Sequence, residues 1–200
     1  RRITKKALNF VFLFAAPMML YFILYAREGI YLFSGTAYTE SIIPMQIIMP
    51  TLLLIGITNV LGIQILVPMG REKSVLYSEI AGAVVDVAIN AILIPRYTSV
   101  GAAIGTLIAE SVVFIIQYMA LRDEVWESFR SVHYIKLLSA LALGSVVSLW
   151  VKALGLGNFV ALFISAILFC GIYGGFLLIT KEELVVEIFY QIIGKRFSEK

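Results

Sequence analysis

The sequence predicts an all-α membrane protein, a polytopic bundle of transmembrane helices, and three observations support this prediction. Hydrophobic residues make up 60% of the 200 residues and charged residues only 14%, against about 45–50% and about 25% in soluble domains. The mean hydropathy is +0.95. The apolar runs lack the period-two alternation of barrel strands, so we expect helices, which also satisfy every backbone polar group in lipid.

Six apolar runs each provide the roughly 20 residues with which a helix crosses about 30 Å of hydrocarbon. The first two runs contain Pro17, Pro44 and Pro50. We expect bends there, because proline removes a backbone hydrogen-bond donor. The six predicted spans cover residues 7–26, 42–68, 74–95, 99–121, 134–153 and 158–179.

The positions of Lys and Arg predict the orientation of these spans, because positive residues concentrate in the cytoplasmic connections of membrane proteins. Of the 16 Lys and Arg residues, all but Arg27, Arg96 and Lys152 fall on one side of the predicted membrane. This asymmetry predicts that both termini are cytoplasmic, which fits an even number of spans. We expect a multi-pass protein of the cell membrane (plasma or inner membrane).

The final stretch, residues 181–200, differs from the spans. Its apolar residues recur at helical spacing, acidic residues stand near its start, and Lys195 and Arg196 stand near its end, as the helix dipole favours. This pattern predicts a cytoplasmic amphipathic helix on the membrane surface, with a partly helical solvated tail as the alternative. The predicted domains are therefore a six-helix transmembrane half, residues 1–180, and this tail.

Two acidic side chains lie deep within the third and fourth predicted spans. Asp86 lies nine residues before Pro95, and Glu110 lies eleven residues after Ser99. At 1.5 Å per residue both are roughly 13–16 Å from the outer ends of their spans, near the bilayer midplane. A charge at this depth costs on the order of 3 kcal/mol. We therefore expect both side chains to face the bundle interior or a water-filled cavity.

Other polar residues share these helix faces. Glu79 and Asn90 lie at helical spacing from Asp86 on the third span, and Gln117 does so from Glu110 on the fourth. Polar residues within membranes mark substrate and ion pathways. The alternative is that Asp86 is protonated and hydrogen-bonded between helices, holding the bundle together. The predicted pathway residues are Glu79, Asp86, Asn90, Glu110 and Gln117, with Arg27 at the outer mouth.

Small and amide residues in the spans predict helix contacts. The fourth span carries Gly101, Gly105 and Ala109 at four-residue spacing, and the sixth carries Gly171 and Gly175 at the same spacing. Such ridges let helix backbones approach closely. In the second span, Asn59 and Gln64 are interpreted as hydrogen-bonding contacts between helices rather than as ligands.

Composition also bears on other classes of function. A single histidine, His133, and a single cysteine, Cys170, rule out the usual clusters of metal ligands. The net charge of +3 is too small to indicate nucleic-acid binding. His133 falls in a cytoplasmic connection, away from any buried nucleophile, so we predict that the protein is not an enzyme. A purely structural subunit, with the acids as helix contacts, stays an alternative.

The stretch NAILIPRYTSVGAAIGTLIAE, residues 90–110, resembles a motif of the oligosaccharide flippases in the multidrug/oligosaccharidyl-lipid/polysaccharide exporter superfamily. Three flanking stretches are also similar to family elements: LFSGTAY (32–38), GREK (70–73) and LLITKEEL (177–184). The sequence departs from the family at Thr98, where glycine is usual. The matching positions are Asn90, Leu93, Ile94, Pro95, Tyr97, Gly101, Ala102, Ala103, Thr106 and Glu110.

The resemblance implies that the chain is the C-terminal half of a transporter with about twelve spans that works by alternating access. Its substrates would be lipid-linked oligosaccharide or polysaccharide units, moved from the cytoplasmic to the outer leaflet. Its partners would be membrane lipids and a missing N-terminal half, with no nucleic acid and no cofactor. H⁺ and Na⁺ are candidate coupling ions. The alternative is a multidrug or cation antiporter of the same superfamily, with the acids binding a cationic drug.

Overall fold

A computed structural model describes residues 2–188 and residue 190. These residues form helices and turns, with no strand among them, which confirms the all-α prediction. Short 3₁₀ segments at Thr36–Ser41 and Trp150–Leu154 and a π-helical segment at Val60–Leu66 connect or extend the main helices. The main helices are α1 (Arg2–Leu24), α2 (Ala26–Phe33), α3 (Ile42–Ile48), α4 (Thr51–Asn59), α5 (Glu72–Ala120), α6 (Arg122–Arg130), α7 (Tyr134–Leu149) and α8 (Asn158–Ile179).

Five helical stretches among the described residues are long and apolar enough to cross a membrane. Four of them, of 21 to 31 residues, overlap predicted runs, while the fifth, Glu72–Ala120, has 49 residues. A straight helix of that length would be about 74 Å long, more than twice the hydrocarbon thickness. The other four stretches are Ile3–Leu24, Thr36–Leu66, Tyr134–Leu154 and Asn158–Ile179. The chain is therefore a multi-pass membrane protein.

The helix α5 folds back on itself at Thr98. Thr98 is the one residue within it that has non-helical backbone angles, φ 48° and ψ −122°. Gln117 Nε2 lies 3.0 Å from Ser78 Oγ, although 39 residues separate them, which would be about 58 Å in a continuous helix. We call residues 72–97 and 99–120 the two arms of the helical hairpin. Two arms in place of one long helix are consistent with six spans.

The positive φ of Thr98 predicts that Thr98→Gly stabilises the hairpin. Positive φ is unfavourable for a β-branched residue and easily adopted by glycine, so we expect the free energy of unfolding to rise by about 1 kcal/mol. Equilibrium unfolding of the purified chain in detergent micelles measures this. Ser99→Gly, one residue inside the second arm, is the control and should lower the same free energy by about 0.5 kcal/mol. A loss of stability in Thr98→Gly would contradict the backbone geometry at the turn.

Glycines set the close packing of the hairpin arms. A methyl group built at Gly101 would lie 2.6 Å from the carbonyl carbon and oxygen of Leu93, and one built at Gly82 would lie 2.5 Å from Val113 Cγ2. The predicted ridge on the fourth span is thus a contact with the third. A methyl group built at Gly171 or Gly175 would have no described atom within 4 Å beyond the adjacent backbone of its own helix.

The second span is irregular over most of its length. Pro50 stands at the break between α3 and α4, where a bend was predicted. Further along, the π-helical segment Val60–Leu66 ends with the Val67 N–H donating to the Gly62 carbonyl at 3.0 Å. A π-helical segment is rare and is found often at functional sites.

The chain forms two compact units, Arg1–Val132 and His133–Lys200. The core of the first unit consists of apolar side chains from α1, α4, the π-helical segment and α6, including the fully buried Leu8, Leu61 and Val125. Phe129 of α6 contacts three rings edge-on, those of Phe12, Phe114 and Tyr118.

In the second unit, α7 packs on α8, where Gly144 of α7 lies against Phe169 of α8. Beyond α8, Glu182 is paired with His133 Nδ1 at 3.2 Å and with Lys136 Nζ at 3.5 Å. Helix resumes at residues 183–188. The rest of the predicted surface helix, residues 189 and 191–200, lies outside the described residues, and the predicted division at residue 180 stays a prediction.

Candidate functional site

The five predicted pathway residues all lie on the helical hairpin. Glu79, Asp86 and Asn90 are on the first arm, and Glu110 and Gln117 are on the second. Gln117 contacts Ser78 and Gly105 contacts Asn90, so this register places Glu110 beside Asp86. The fold thus gathers three acids that are up to 31 residues apart in the sequence.

A cleft of about 240 Å³ lies between the second span and the hairpin. Among the described residues, its lining contains two acidic side chains and no Lys or Arg. The structure therefore brings Glu79, Glu110 and Gln117 together and leaves Asp86 and Asn90 outside the cleft lining. The lining residues are Ile55, Thr58, Asn59, Gly62, Ile63, Val75, Glu79, Glu110 and Gln117.

Gln117 is the most deeply buried polar residue of the cleft, with 1% of its surface exposed. Its Nε2 donates to Ser78 Oγ at 3.0 Å, and Ser78 in turn donates to the Val75 carbonyl at 2.7 Å. Its Oε1 atom is buried and has no hydrogen-bond partner within the described part of the chain. A buried unsatisfied acceptor costs about 1–3 kcal/mol, so this oxygen is a candidate for binding a ligand.

Asp86 and Asn90 lie further along the first arm and are half-buried. The Oδ1 atom of each is buried without a hydrogen-bond partner among the described residues. The Asn90 oxygen stands where a side chain at Gly105 would be, so Gly105 accommodates this amide. The alternative role for Asp86 is a hydrogen bond that holds two helices together. Its Oδ1 atom makes no such bond among the described residues.

Arg27, predicted at the outer mouth, is an exposed residue of α2 and is not part of the cleft. Its guanidinium lies 5.3 Å from the centre of the Tyr31 ring, within the range of a cation–π contact. Tyr31 also shares a hydrogen bond with Thr39 Oγ1 at 3.3 Å. This hydrogen bond, followed by that to Arg27, lowers the pKa of Tyr31 from its ordinary value.

Besides three aliphatic residues, the structure adds to the site Thr58, Asn59 and Gly62, which the sequence did not assign to it. The sequence interpretation made Asn59 a contact between helices. Instead, its Nδ2 donates to the Ile55 carbonyl of its own helix at 2.9 Å, and the residue lines the cleft. Gly62 carried no sequence pattern that indicated a site, because its role depends on Gln117 in another helix.

Known metal-site chemistry and known relatives give no further assignment. Within residues 2–188 and 190, no group of three or more His, Cys, Asp and Glu side chains is arranged to hold a metal ion. Comparisons with protein-family models, with curated proteins and with solved structures give no match. The chain's own residues therefore carry the functional argument.

Proposed function

We propose that this chain is one half of a membrane transporter that flips lipid-linked oligosaccharide or polysaccharide units from the cytoplasmic to the outer leaflet by alternating access. The observation that carries the proposal is the gathering of Glu79, Asp86 and Glu110 on one hairpin within the membrane-spanning part of the chain. Asp86 and Glu110 lie near the expected midplane, where each charge costs on the order of 3 kcal/mol. That cost is understandable where the acids serve a pathway through the membrane.

The saccharide assignment rests on the resemblance of residues 90–110 to oligosaccharide flippases. The chemistry of the cleft agrees with it, because carboxylate, amide and hydroxyl side chains are hydrogen-bonding partners for sugar hydroxyls. A phosphate linkage between saccharide and lipid would need cationic partners, and the described cleft lining contains none. In this proposal an N-terminal half of the same transporter supplies them.

We place the transporter in the cell membrane, plasma or inner, with both termini of this chain in the cytoplasm. H⁺ or Na⁺ is the proposed coupling ion, because the acids of the hairpin can bind either. No chemical transformation of the substrate is part of this account, and no cofactor is required by it.

A second candidate function is antiport of organic cations, such as cationic drugs. One observation favours it: two carboxylates line the cleft, and neither Lys nor Arg accompanies them. A cleft lined by acidic side chains attracts cationic ligands. The resemblance of residues 90–110 makes saccharide flipping the first candidate.

Reconstitution distinguishes the two functions. The complete transporter that contains this chain would be placed in proteoliposomes with a fluorescent lipid-linked oligosaccharide, and a lectin added outside would report the fraction of saccharide in the outer leaflet. Parallel vesicles would carry a cationic dye. We expect oligosaccharide translocation without dye transport. Dye transport alone would establish the second candidate, and vesicles inactive towards both would overturn both.

A further inference from the structure

We propose that one face of the short helix α6 binds the phosphate groups of anionic phospholipids at the membrane surface. This face consists of Arg122, Trp126 and Arg130, and we call it the basic face of α6. The inference concerns the contact between this chain and the surrounding lipid. It holds whichever substrate the transporter carries.

The packing of α6 places it at the ends of two membrane spans. The helix follows the second arm of the hairpin almost directly in the chain. Val125 of α6 belongs to the same buried core as Leu8 near the start of α1. The centre of the Phe129 ring lies 5.5 Å from that of Tyr118, in the last turn of the second arm. Because α1 and the hairpin are both apolar enough to cross a membrane, α6 lies at the level where these spans leave the hydrocarbon.

The exposed side chains of α6 are sorted by charge around the helix axis. With 3.6 residues per turn, Arg122, Trp126 and Arg130 lie within about 80° of one another, and all three are exposed. Glu124 lies about 120° beyond Arg130 around the axis. There its carboxylate accepts from Arg71 Nη1 at 3.2 Å. The acidic side of the helix is thus bound by a cation of this chain, whereas the basic face points elsewhere.

Both arginines of the basic face are available to an external anion. Neither Arg122 nor Arg130 forms an ion pair or a hydrogen bond with a described residue. Asp123 is an exposed acid next to this face, but the two arginines are about 12 Å apart along the axis, so one carboxylate cannot engage both. A guanidinium carries five N–H donors in a planar arrangement that matches phosphate oxygens.

Trp126 makes a lipid surface the occupant rather than a soluble anion. Its side chain lies between the two arginines and is 55% exposed. Tryptophan is enriched at membrane–water interfaces, where its ring lies among the headgroups and its N–H finds a polar partner. A soluble phosphate would leave this ring in water, whereas a phospholipid covers it and brings a phosphate to the arginines. The leaflet beside α6 is expected to be the cytoplasmic one, which carries a negative surface potential.

Quenching of Trp126 fluorescence tests the proposal at the site itself. The chain has two tryptophans, so Trp150→Phe leaves Trp126 as the single reporter. The 200-residue chain would be reconstituted in nanodiscs with equal parts of phosphatidylglycerol and phosphatidylcholine, and only one of the two lipids would carry quenching bromine atoms. Comparison of the two labelling schemes gives the lipid preference at Trp126. We expect at least about a fivefold preference for phosphatidylglycerol.

Substitutions of exposed residues assign this preference to the basic face. Arg122→Gln should lower it, and adding Arg130→Gln should reduce it to about one, which means no preference. Lys73→Gln is the matched control, because it removes an exposed cation near the same ends of the spans but outside α6. It should keep the preference of the unchanged face. Asp123→Asn removes the acid next to the basic face and should raise the preference. The helix content of each variant checks that the fold is retained.

Several results would overturn the proposal. Equal quenching by the two brominated lipids would show that the face does not distinguish them, and no quenching by either would place Trp126 away from lipid. A preference that survives the loss of both arginines, or that disappears in Lys73→Gln, would mean that the basic face does not set it. Loss of the preference on adding inorganic phosphate at constant ionic strength would assign the arginines to a soluble anion. Because no saccharide is present, a failure of saccharide flipping leaves these results unaffected.

Discussion

Neutralising either of the two midplane acids, in Asp86→Asn or Glu110→Gln, is expected to abolish transport by the complete transporter. We expect initial rates of oligosaccharide translocation to fall at least about a hundredfold, which corresponds to about 2.7 kcal/mol in the barrier. Both substitutions keep the size of the side chain and remove its negative charge. The proteoliposome assay described above measures the rates.

The energetics of membrane insertion make this prediction informative. Removing a charge at the midplane saves on the order of 3 kcal/mol of insertion cost, so neither variant should be less stable on that account. Expression and helix content near those of the unchanged transporter are expected. Glu72→Gln, an exposed acid at the start of the hairpin, is the control and should retain transport. Retained transport in both midplane variants would show that these acids contribute to helix packing and not to transport.

A large loss of stability is expected on substitution of Gly101, because an added methyl group would clash with neighbouring backbone atoms. In Gly101→Ala the new carbon would meet the backbone of Leu93 at 2.6 Å and the amide nitrogen of Ile94 at 2.9 Å. These atoms belong to the main chain beside the turn, and relieving the clash requires the two arms to separate. We expect the free energy of unfolding to fall by about 3 kcal/mol.

A second glycine provides the matched control for this substitution. Gly171 lies in a membrane-spanning helix and has no described atom within 4 Å of an added methyl group. Gly171→Ala should leave the free energy of unfolding unchanged or raise it by up to about 1 kcal/mol, as helix propensity favours alanine. Equilibrium unfolding of both variants in micelles provides the comparison. Equal stability of the two variants would contradict the close approach of the hairpin arms.

The spans and the hairpin could be predicted because lipid imposes simple rules on a sequence. Apolar length fixes how many helices cross the membrane, and residues 74–95 and 99–121 are each one span long. The small residues at Gly101 and Gly105 indicated close packing, and the structure shows their partners to be Leu93 and Asn90. The spacing of these small residues in the sequence therefore agrees with the contacts between the two arms.

The composition of the cleft was only partly predictable. A helical period of 3.6 residues places Glu79, Asp86 and Asn90 near one face, but it says nothing about how far along that face a cleft extends. Asp86 lies level with Glu110 in the hairpin, yet it is outside the lining that Glu79 and Glu110 share.

The contribution of the second span could not be predicted from local pattern. A π-helical segment is a small departure from α-helix, and it depends on the packing of neighbouring helices rather than on composition. Residues 60–66 read as an ordinary apolar run. Gly62 matters only because Gln117 approaches it from another helix. Thr98 is a related case, because its positive φ is set by the folding back of the arms against the preference of the residue.

Exposure of Glu110 to water within the membrane tests the central claim most directly. In a Cys170→Ser background, Glu110→Cys would be treated in intact membranes with a charged thiol reagent that cannot cross lipid. Ala103→Cys in the same arm, where Ala103 is 4% exposed, is the buried control. The account predicts rapid labelling at position 110 and none at position 103. A thiol at position 110 that reacts only after the protein is unfolded would show that no water-filled path reaches the acids.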